Sequence, residues 1–548
     1  VTSEPTFNFA DLWELVAPTV PDRTALVCGP QTRTYAQLAE RVNRLANHLR
    51  AAGVGVDDRV GLFLRNDAAY LEAMLAAFSL RAVPVNMNHR YTGDELGHLL
   101  TDSGAVALLA HETLTAAVAS VPGGIGAMRT LLVVDDPDPA TVEGERADLP
   151  GAVAYEDALA AASPAAVVTE GRSGDDHYLM YTGGTTGRPK GVLWRQEDAF
   201  FACIGGGDPM RLQGPIERPA DLLDRKVDAF TYFPLAPLMH AAAQWTTLSW
   251  LFAGGKTVLM PGHLDPETVW QLVADHGVNA ITMVGDAVGR PLAKAWEANP
   301  DRWDASALFS LSNGGAPMSP DLKAHIAELF PGRVMTDGFG SSESGLQGSQ
   351  RLEPGDAGIG TGLARFAPSP GTGVFDDDLH PVVPGSGAIG RVANTGHLPL
   401  GYLNDPEKTA ATFMEVEGKR YCFTGDMATV EADGTIALLG RGSQCINTGG
   451  EKVFPEEVEL ALFSHPAVAD VLVVGVPDER WGSAVIAVVE PTDPAQPPTL
   501  EHLKAHLRQS LAGYKLPKRL VVVDRVERSP AGKADYRWAK ATAESSSS

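Results

Sequence analysis

The sequence predicts an α/β protein in two parts. A large N-terminal domain of layered α/β sheets with a β-rich subdomain precedes a small C-terminal α+β domain. Three observations predict this. At 548 residues the chain exceeds what one hydrophobic core ordinarily serves. Helical and strand periodicities alternate through its first half, as in open parallel sheets. Near Gly440-Arg441-Gly442 the texture changes, and a run of mixed helix and strand signals follows that is long enough for a small domain.

Thr34 to Gly53 reads as an amphipathic helix. Leu38, Val42, Leu45 and Leu49 recur at helical spacing, Thr34 and Gln37 form a capping box, and Gly53 supplies the stop. Asp58 to Arg65 reads as a strand, Ala68 to Leu80 as a helix and Val83 to Asn86 as a short strand. Further strand signals lie at Ala105 to Ala110, Leu131 to Val134, His177 to Tyr181, Lys256 to Met260, Asn279 to Val284, Leu308 to Asn313 and Arg333 to Thr336. Gly205 to Asp228 reads as a loop insertion, and Glu353 to Gly385 as short strands and turns of the β-rich part. After the change of texture come helix Glu456 to Phe463, strands Val468 to Val474 and Ala484 to Val489, helix Leu500 to Leu511 and strand Leu520 to Val523. The expected division is 1–440, a boundary segment at 441–443, 444–540, and a disordered tail at 541–548.

Composition narrows the function. The chain is 44% hydrophobic and 20% charged, as soluble globular proteins are. A net charge of −24 argues against nucleic acid or an anionic membrane surface as partner. Cys28, Cys203, Cys422 and Cys445 are scattered, which indicates neither a disulfide framework nor a zinc site and fits a reducing cytoplasm. The first residues lack the basic and apolar regions of a signal peptide, and no apolar run is long enough to span a membrane. Abundant Ala, Gly, Asp and Arg suit a GC-rich bacterial genome.

The segment Tyr181 to Gly191 has the composition of a phosphate cradle. Gly183, Gly184 and Gly187 let backbone N–H groups approach an anion. Thr182, Thr185 and Thr186 offer hydroxyl donors, and Lys190 a movable charge. It is not the common P-loop, because no Ser or Thr follows the lysine to hold a metal. Glu343, after the turn Gly340-Ser341-Ser342, can bind Mg²⁺, although the segment alone favours a capped helix start at Ser341 or Ser342. Asp426, in Thr-Gly-Asp, can accept both hydroxyls of a cis-diol, or merely close a β-turn. Gly314-Gly315-Ala316-Pro317 alone is a turn, and Lys533 on its Pro/Gly turn alone is a solvated lysine.

Together, and in this order, these segments resemble the adenylate-forming superfamily of acyl-CoA synthetases, luciferases and peptide-synthetase adenylation domains. The resemblance covers nearly the whole chain. It implies ATP, Mg²⁺ and coenzyme A as ligands and assigns roles by position. Residues 182–187 and Lys190 would hold phosphates and Glu343 the metal. Gly314, Gly315, Ala316 and Pro317 would wall the adenine. Asp337, Phe339, Gly340, Ser341 and Ser342 would belong to the nucleotide site, with Phe339 replacing the usual Tyr as stacking face. Asp426 would bind ribose, and Arg441 ribose or phosphate. Ser443 takes the hinge position, usually Asp or Lys, and Gly449, Gly450 and Lys452 would line the coenzyme A path. Lys533 would bridge the attacking carboxylate and the α-phosphate. His240, Gln244, Trp245, Gly285 and Asp286 would line the acyl pocket, with His240 as a gate.

The wording of these segments is nearest to actinobacterial synthetases for fatty acids or steroid side-chain acids, and the small residues Ala241 to Ala243 favour a bulky apolar acid. The partners expected are therefore a carboxylic acid, ATP and coenzyme A. Oligomeric state stays open, a homodimer included. Two other readings remain: an enzyme that stops at the adenylate or loads a carrier protein, and a nucleotide-binding regulator with a dead site.

Overall fold

In the computed structural model the alternating signals resolve into two large sheets and a separate C-terminal unit. The structure describes residues 4–126, 128–136, 144–182, 189–352, 364–448, 451–478, 482–528 and 534–546. The first sheet has 14 strands. Its α/β half runs parallel through Thr24–Cys28, Lys256–Leu259, Thr231–Pro234, Ala280–Met283, Ser310–Gly314 and Val334–Ser341. Its first strand is thus paired far along the chain, Leu26 lying beside Thr257. The antiparallel hairpin Val334–Ser341/Gly345–Leu352 hands this half over to the β-rich half, which is antiparallel throughout.

The second sheet has 8 strands. Arg59–Phe63, Val83–Asn86, Ala105–His111, Thr130–Val134, Val153–Ala154 and His177–Thr182 are parallel. Lys190–Arg195 and then Gly401–Tyr402 add antiparallel at one edge. Helix Tyr35–Ala51 buries Leu38, Val42, Leu45 and Leu49, and both bonds of the Thr34/Gln37 capping box form. Helix Ala68–Ser79 is buried on every side, as its apolar composition requires.

The strand at Val334 continues to Ser341, five residues beyond the signal that ended at Thr336. Its glycines resemble a turn but serve close packing: a Cβ on Gly340 would lie 2.1 Å from the Gly345 carbonyl oxygen.

From Ile446 onward the chain leaves both large sheets. Val468–Asp478 and Gly482–Pro491 pair antiparallel, Arg519–Val522 joins parallel, and helices Pro455–Phe463, Leu500–Leu507 and Tyr536–Ser545 pack around them. The last helix runs into the stretch 541–548 expected as a disordered tail. Ala539 and Ala543, one turn apart, are buried against the small sheet and keep it helical. No helix among the described residues is long and apolar enough to cross a membrane.

Candidate active site

The phosphate-cradle segment is the connection of a β-hairpin, with Thr182 paired to Lys190 and Tyr181 to Gly191. Gly183, Gly184, Thr185, Thr186 and Gly187 lie outside the described residues. Asn86, at the carboxyl end of its strand, fixes the entry to this connection. Its side-chain oxygen accepts from Tyr181 N at 2.7 Å, and its amide donates to the carbonyls of Tyr181 at 2.9 Å and Met239 at 2.7 Å. Asn86 therefore ties the cradle to the segment carrying His240. Its sequence signal was a lone amide at the end of a buried apolar strand.

Lys190 points at Asp405, with Nζ to Oδ2 2.6 Å, and lies 5.8 Å from the centre of the Tyr402 ring. Hydrogen bonding from Lys190 holds the Asp405 carboxyl below its ordinary range. The Tyr402 hydroxyl donates to Glu343 Oε1 at 2.9 Å. Burial first, and then the Glu343 charge, raise the Tyr402 pKa, so the phenol stays protonated and able to donate. The predicted cation and the predicted metal carboxylate are thus joined through two residues that sequence reasoning missed.

Glu343 sits in the turn of the hairpin Val334–Ser341/Gly345–Leu352, so the alternative of a helix start is not realised. The Glu343 N–H donates to Ser341 Oγ, and Trp194 donates to the Ser342 carbonyl. Two neighbours depart from expectation. The Asp337 carboxylate is buried and paired with Lys323 at 2.5 Å, and it accepts from Asn313 at 2.8 Å, so it forms a core ion pair. Phe339 is 9% exposed and packs on Phe366, ring centres 4.8 Å apart, in the core of the β-rich half. The strand pleat accounts for both, since residues two apart share a face. Gly314 pairs with Gly338 at the end of its strand, and Ala316 accepts a hydrogen bond from Asn313. The turn from Gly314 to Pro317 therefore stands beside the Glu343 hairpin.

Asp426 and Arg441 are direct cross-strand neighbours. Thr424 Oγ1 donates to Asp426 at 2.6 Å. Ser443 follows in the short turn Gly442–Gln444. Glu456 accepts from Arg441 N at 3.4 Å, and burial raises its pKa. Lys452 is exposed on a small hairpin strand; Gly449, Gly450 and Lys533 lie outside the described residues.

The acyl-pocket residues divide. His240, half-buried, caps helix Ala241–Phe252 and is joined to Asn86 through Met239. Gln244 is fully engaged in the core, accepting from Tyr178 at 2.8 Å and donating to Tyr70 at 3.2 Å and the Leu238 carbonyl at 2.8 Å. Trp245 belongs to the same core. Gly285 opens helix Gly285–Ala298, its N–H bonded to Asn313. Asp286 is a correction: its carboxylate pairs with Arg290 at 2.7 Å and accepts from Ser319 N and Oγ, both at 2.6 Å. Burial raises its pKa against the pull of Arg290. Both Asp286 oxygens are thus committed to partners within the protein.

Arg65, His89, Arg90 and His111 lie at or just beyond the carboxyl ends of the parallel strands Arg59–Phe63, Val83–Asn86 and Ala105–His111. Burial, then the charges of Arg65 and Arg90 and the neighbouring His263 and His111, hold the His89 imidazole down to about 3.

Among the described residues no group of three or more His, Cys, Asp or Glu side chains could hold a metal alone. A single oriented carboxylate, Glu343, matches Mg²⁺, which is commonly held by one or two carboxylates together with substrate phosphates.

Residues 13–398 match the AMP-binding enzyme family, and residues 457–533 match the AMP-binding enzyme C-terminal domain. The chain is 45% identical over 541 residues to a 3-oxocholest-4-en-26-oate–CoA ligase of Rhodococcus rhodochrous, covering 97% of this chain and 95% of that one. It is 45% identical over 538 residues to a medium/long-chain-fatty-acid–CoA/3-oxocholest-4-en-26-oate–CoA ligase of Mycolicibacterium smegmatis, covering 97% and 96%. In fold it resembles the anthranilate CoA ligase AuaEII crystallised with anthranoyl-AMP, with a TM-score of 0.84 at 22% identity over 100% of this chain and 99% of that one. With residues 13–398 and 457–533 both matched, the chain belongs to the AMP-binding enzyme family.

Proposed function

We propose that the protein is an AMP-forming acid–CoA ligase for an apolar carboxylic acid, of the medium- to long-chain fatty or steroid side-chain class. The observation that carries this reading is full-length identity of 45% to ligases named for those acids. The site chemistry supports it. A carboxylate oxygen of the acid attacks the α-phosphorus of ATP, and pyrophosphate leaves with the electron pair of the broken P–O bond. The segment from Thr182 to Lys190 holds the phosphates, Asp426 and Arg441 the ribose, and Lys533 the charge that develops at the α-phosphate. Glu343 would hold Mg²⁺, which when bound would supply charge to neutralise the phosphates. The C-terminal domain, residues 444–540, then turns about 441–443. This withdraws Lys533 and opens a path for coenzyme A along Gly449, Gly450 and Lys452. The thiolate attacks the acyl carbon and AMP departs.

The commitment of Asp286 to Arg290 and Ser319 weighs against an amino-acid-activating enzyme. The test is production of AMP and thioester from ATP, Mg²⁺ and coenzyme A with acetate, octanoate, palmitate, benzoate and a steroid side-chain acid offered in parallel. AMP and thioester formed together, with an apolar acid preferred, is the expected result. AMP without thioester would move the reading to a carrier-protein partner, and preference for acetate or benzoate would overturn the substrate class.

A further inference from the structure

We infer that Tyr402 is a positioning residue of the nucleotide site, its hydroxyl holding the Glu343 carboxylate while its ring lies beside the Lys190 charge. Glu343 projects from the turn of a hairpin on a side chain with several rotatable bonds. A carboxylate so placed needs an outer partner to fix it. Tyr402 supplies that partner from a rigid place. Strand Gly401–Tyr402 is paired antiparallel with Lys190–Arg195, Tyr402 opposite Val192, and Leu403 N donates to the Gly191 carbonyl at 2.8 Å.

The backbone around Tyr402 is also locked. Tyr402 N donates to Thr409 Oγ1 at 2.9 Å, and the same hydroxyl donates to the Asp405 carbonyl at 2.8 Å. Gly401 has φ +152°, and a Cβ there would lie 2.4 Å from Thr409 Cγ2, so this strap closes only over a glycine. Asp405 divides its carboxylate. Oδ1 caps helix Pro406–Thr412 through Lys408 N at 2.9 Å, and Oδ2 holds Lys190. The metal carboxylate is thus referred to the strand that carries the phosphate-binding lysine, across a break of about two hundred residues in sequence.

The inference rests on the ligase reading only in that Glu343 meets a metal–nucleotide. The experiment compares full-length wild type with Tyr402→Phe, which removes one oxygen. Binding of a non-hydrolysable ATP analogue is titrated calorimetrically with Mg²⁺ and again in EDTA, with Tm measured for both proteins. We expect the metal-dependent gain in affinity to fall about tenfold in Tyr402→Phe, with affinity in EDTA unchanged within about twofold and Tm preserved. Asp405→Asn, which removes the counter-ion that phosphate must displace from Lys190, is expected to tighten binding in both buffers by about threefold. Equal loss of Tyr402→Phe affinity with and without metal, or no loss in either, would overturn the inference, since the hydroxyl would then serve packing alone. If wild type bound no nucleotide, the ligase reading would fall and the inference with it. If wild type bound and the variant were indistinguishable, the inference alone would fall.

Discussion

Asp426 and Arg441 face each other across two antiparallel strands, with Arg441 Nε 3.4 Å from Asp426 Oδ1. The pair sits at the point where the large sheet ends and the chain enters the C-terminal unit. If Asp426 accepts both ribose hydroxyls, Asp426→Asn weakens ATP binding about tenfold. The sharper readout is the ratio of affinities for ATP and 2′-deoxy-ATP. It should collapse toward unity in the variant, and an unchanged ratio would place the ribose elsewhere.

Lys323 and Asp337 form an ion pair in which both side chains are 8% exposed. Lys323→Met leaves a buried carboxylate without its cation and should cost about 3–5 kcal/mol of stability. The double variant with Asp337→Leu should recover much of that loss, measured by chemical denaturation. If Asp337 contacted nucleotide instead, the double variant would be stable but would not bind ATP.

Legibility in the sequence followed the range of the interaction. The Thr34/Gln37 capping box, the strand Val83–Asn86 and the periodic core of Tyr35–Ala51 are written within a few residues, and the structure reproduces them. Tyr402 and Asp405 were missed because their partners Val192, Lys190 and Glu343 lie far off in the chain, and nothing local marks the join. Asp286 and Asp337 were assigned to ligand sites by their positions in the resemblance, which carries no record of the cations Arg290 and Lys323 that pair with them. For Asp286 the signal was present: Arg290 stands four residues on, one helical turn away.

Asp67 makes stability depend on pH. It caps helix Ala68–Ser79 through Oδ1, while Oδ2 is buried with no hydrogen-bond partner among the described residues. Burial, aided by the Glu72 charge, pushes its pKa from 3.8 up to about 7. The folded state therefore binds the proton more tightly than the unfolded chain. The associated stability is present in full below pH 3.8 and is lost as pH rises to about 7. Asp67→Asn keeps the cap and should gain on wild type across that window, by at most about 1.4 kcal/mol per pH unit. Parallel stability curves for the two proteins would contradict this.

Phe463, at the end of a C-terminal-domain helix, has the Arg290 guanidinium 5.7 Å from its ring centre and that of Arg528 6.0 Å away. Arg290 is anchored in the large domain by Asp286 and Asp321, and Arg528 in the small one by Asp470. The rotation of the small domain proposed above would break the first contact and carry the second along. Phe463→Leu should therefore change the two half-reactions unequally, by roughly two- to fivefold in the one run in this arrangement. Equal changes in pyrophosphate exchange and thioester formation would rule out a state-specific contact.

Lys533→Ala should abolish adenylate formation yet leave thioester formation from supplied acyl-adenylate largely intact. Comparable losses in both steps would end the account in which the small domain serves two arrangements in turn.

The pairing of Leu26 with Thr257 has a consequence for biosynthesis. Strand Thr24–Cys28 leaves the ribosome early, yet its parallel neighbour Lys256–Leu259 must be translated before it can take its place in the sheet. At about 5–20 residues per second that interval lasts tens of seconds. During it an apolar strand waits with one edge unpaired. A nascent chain stalled before Lys256 should thus be recognised by chaperones, and one released beyond Leu259 should begin to shed them.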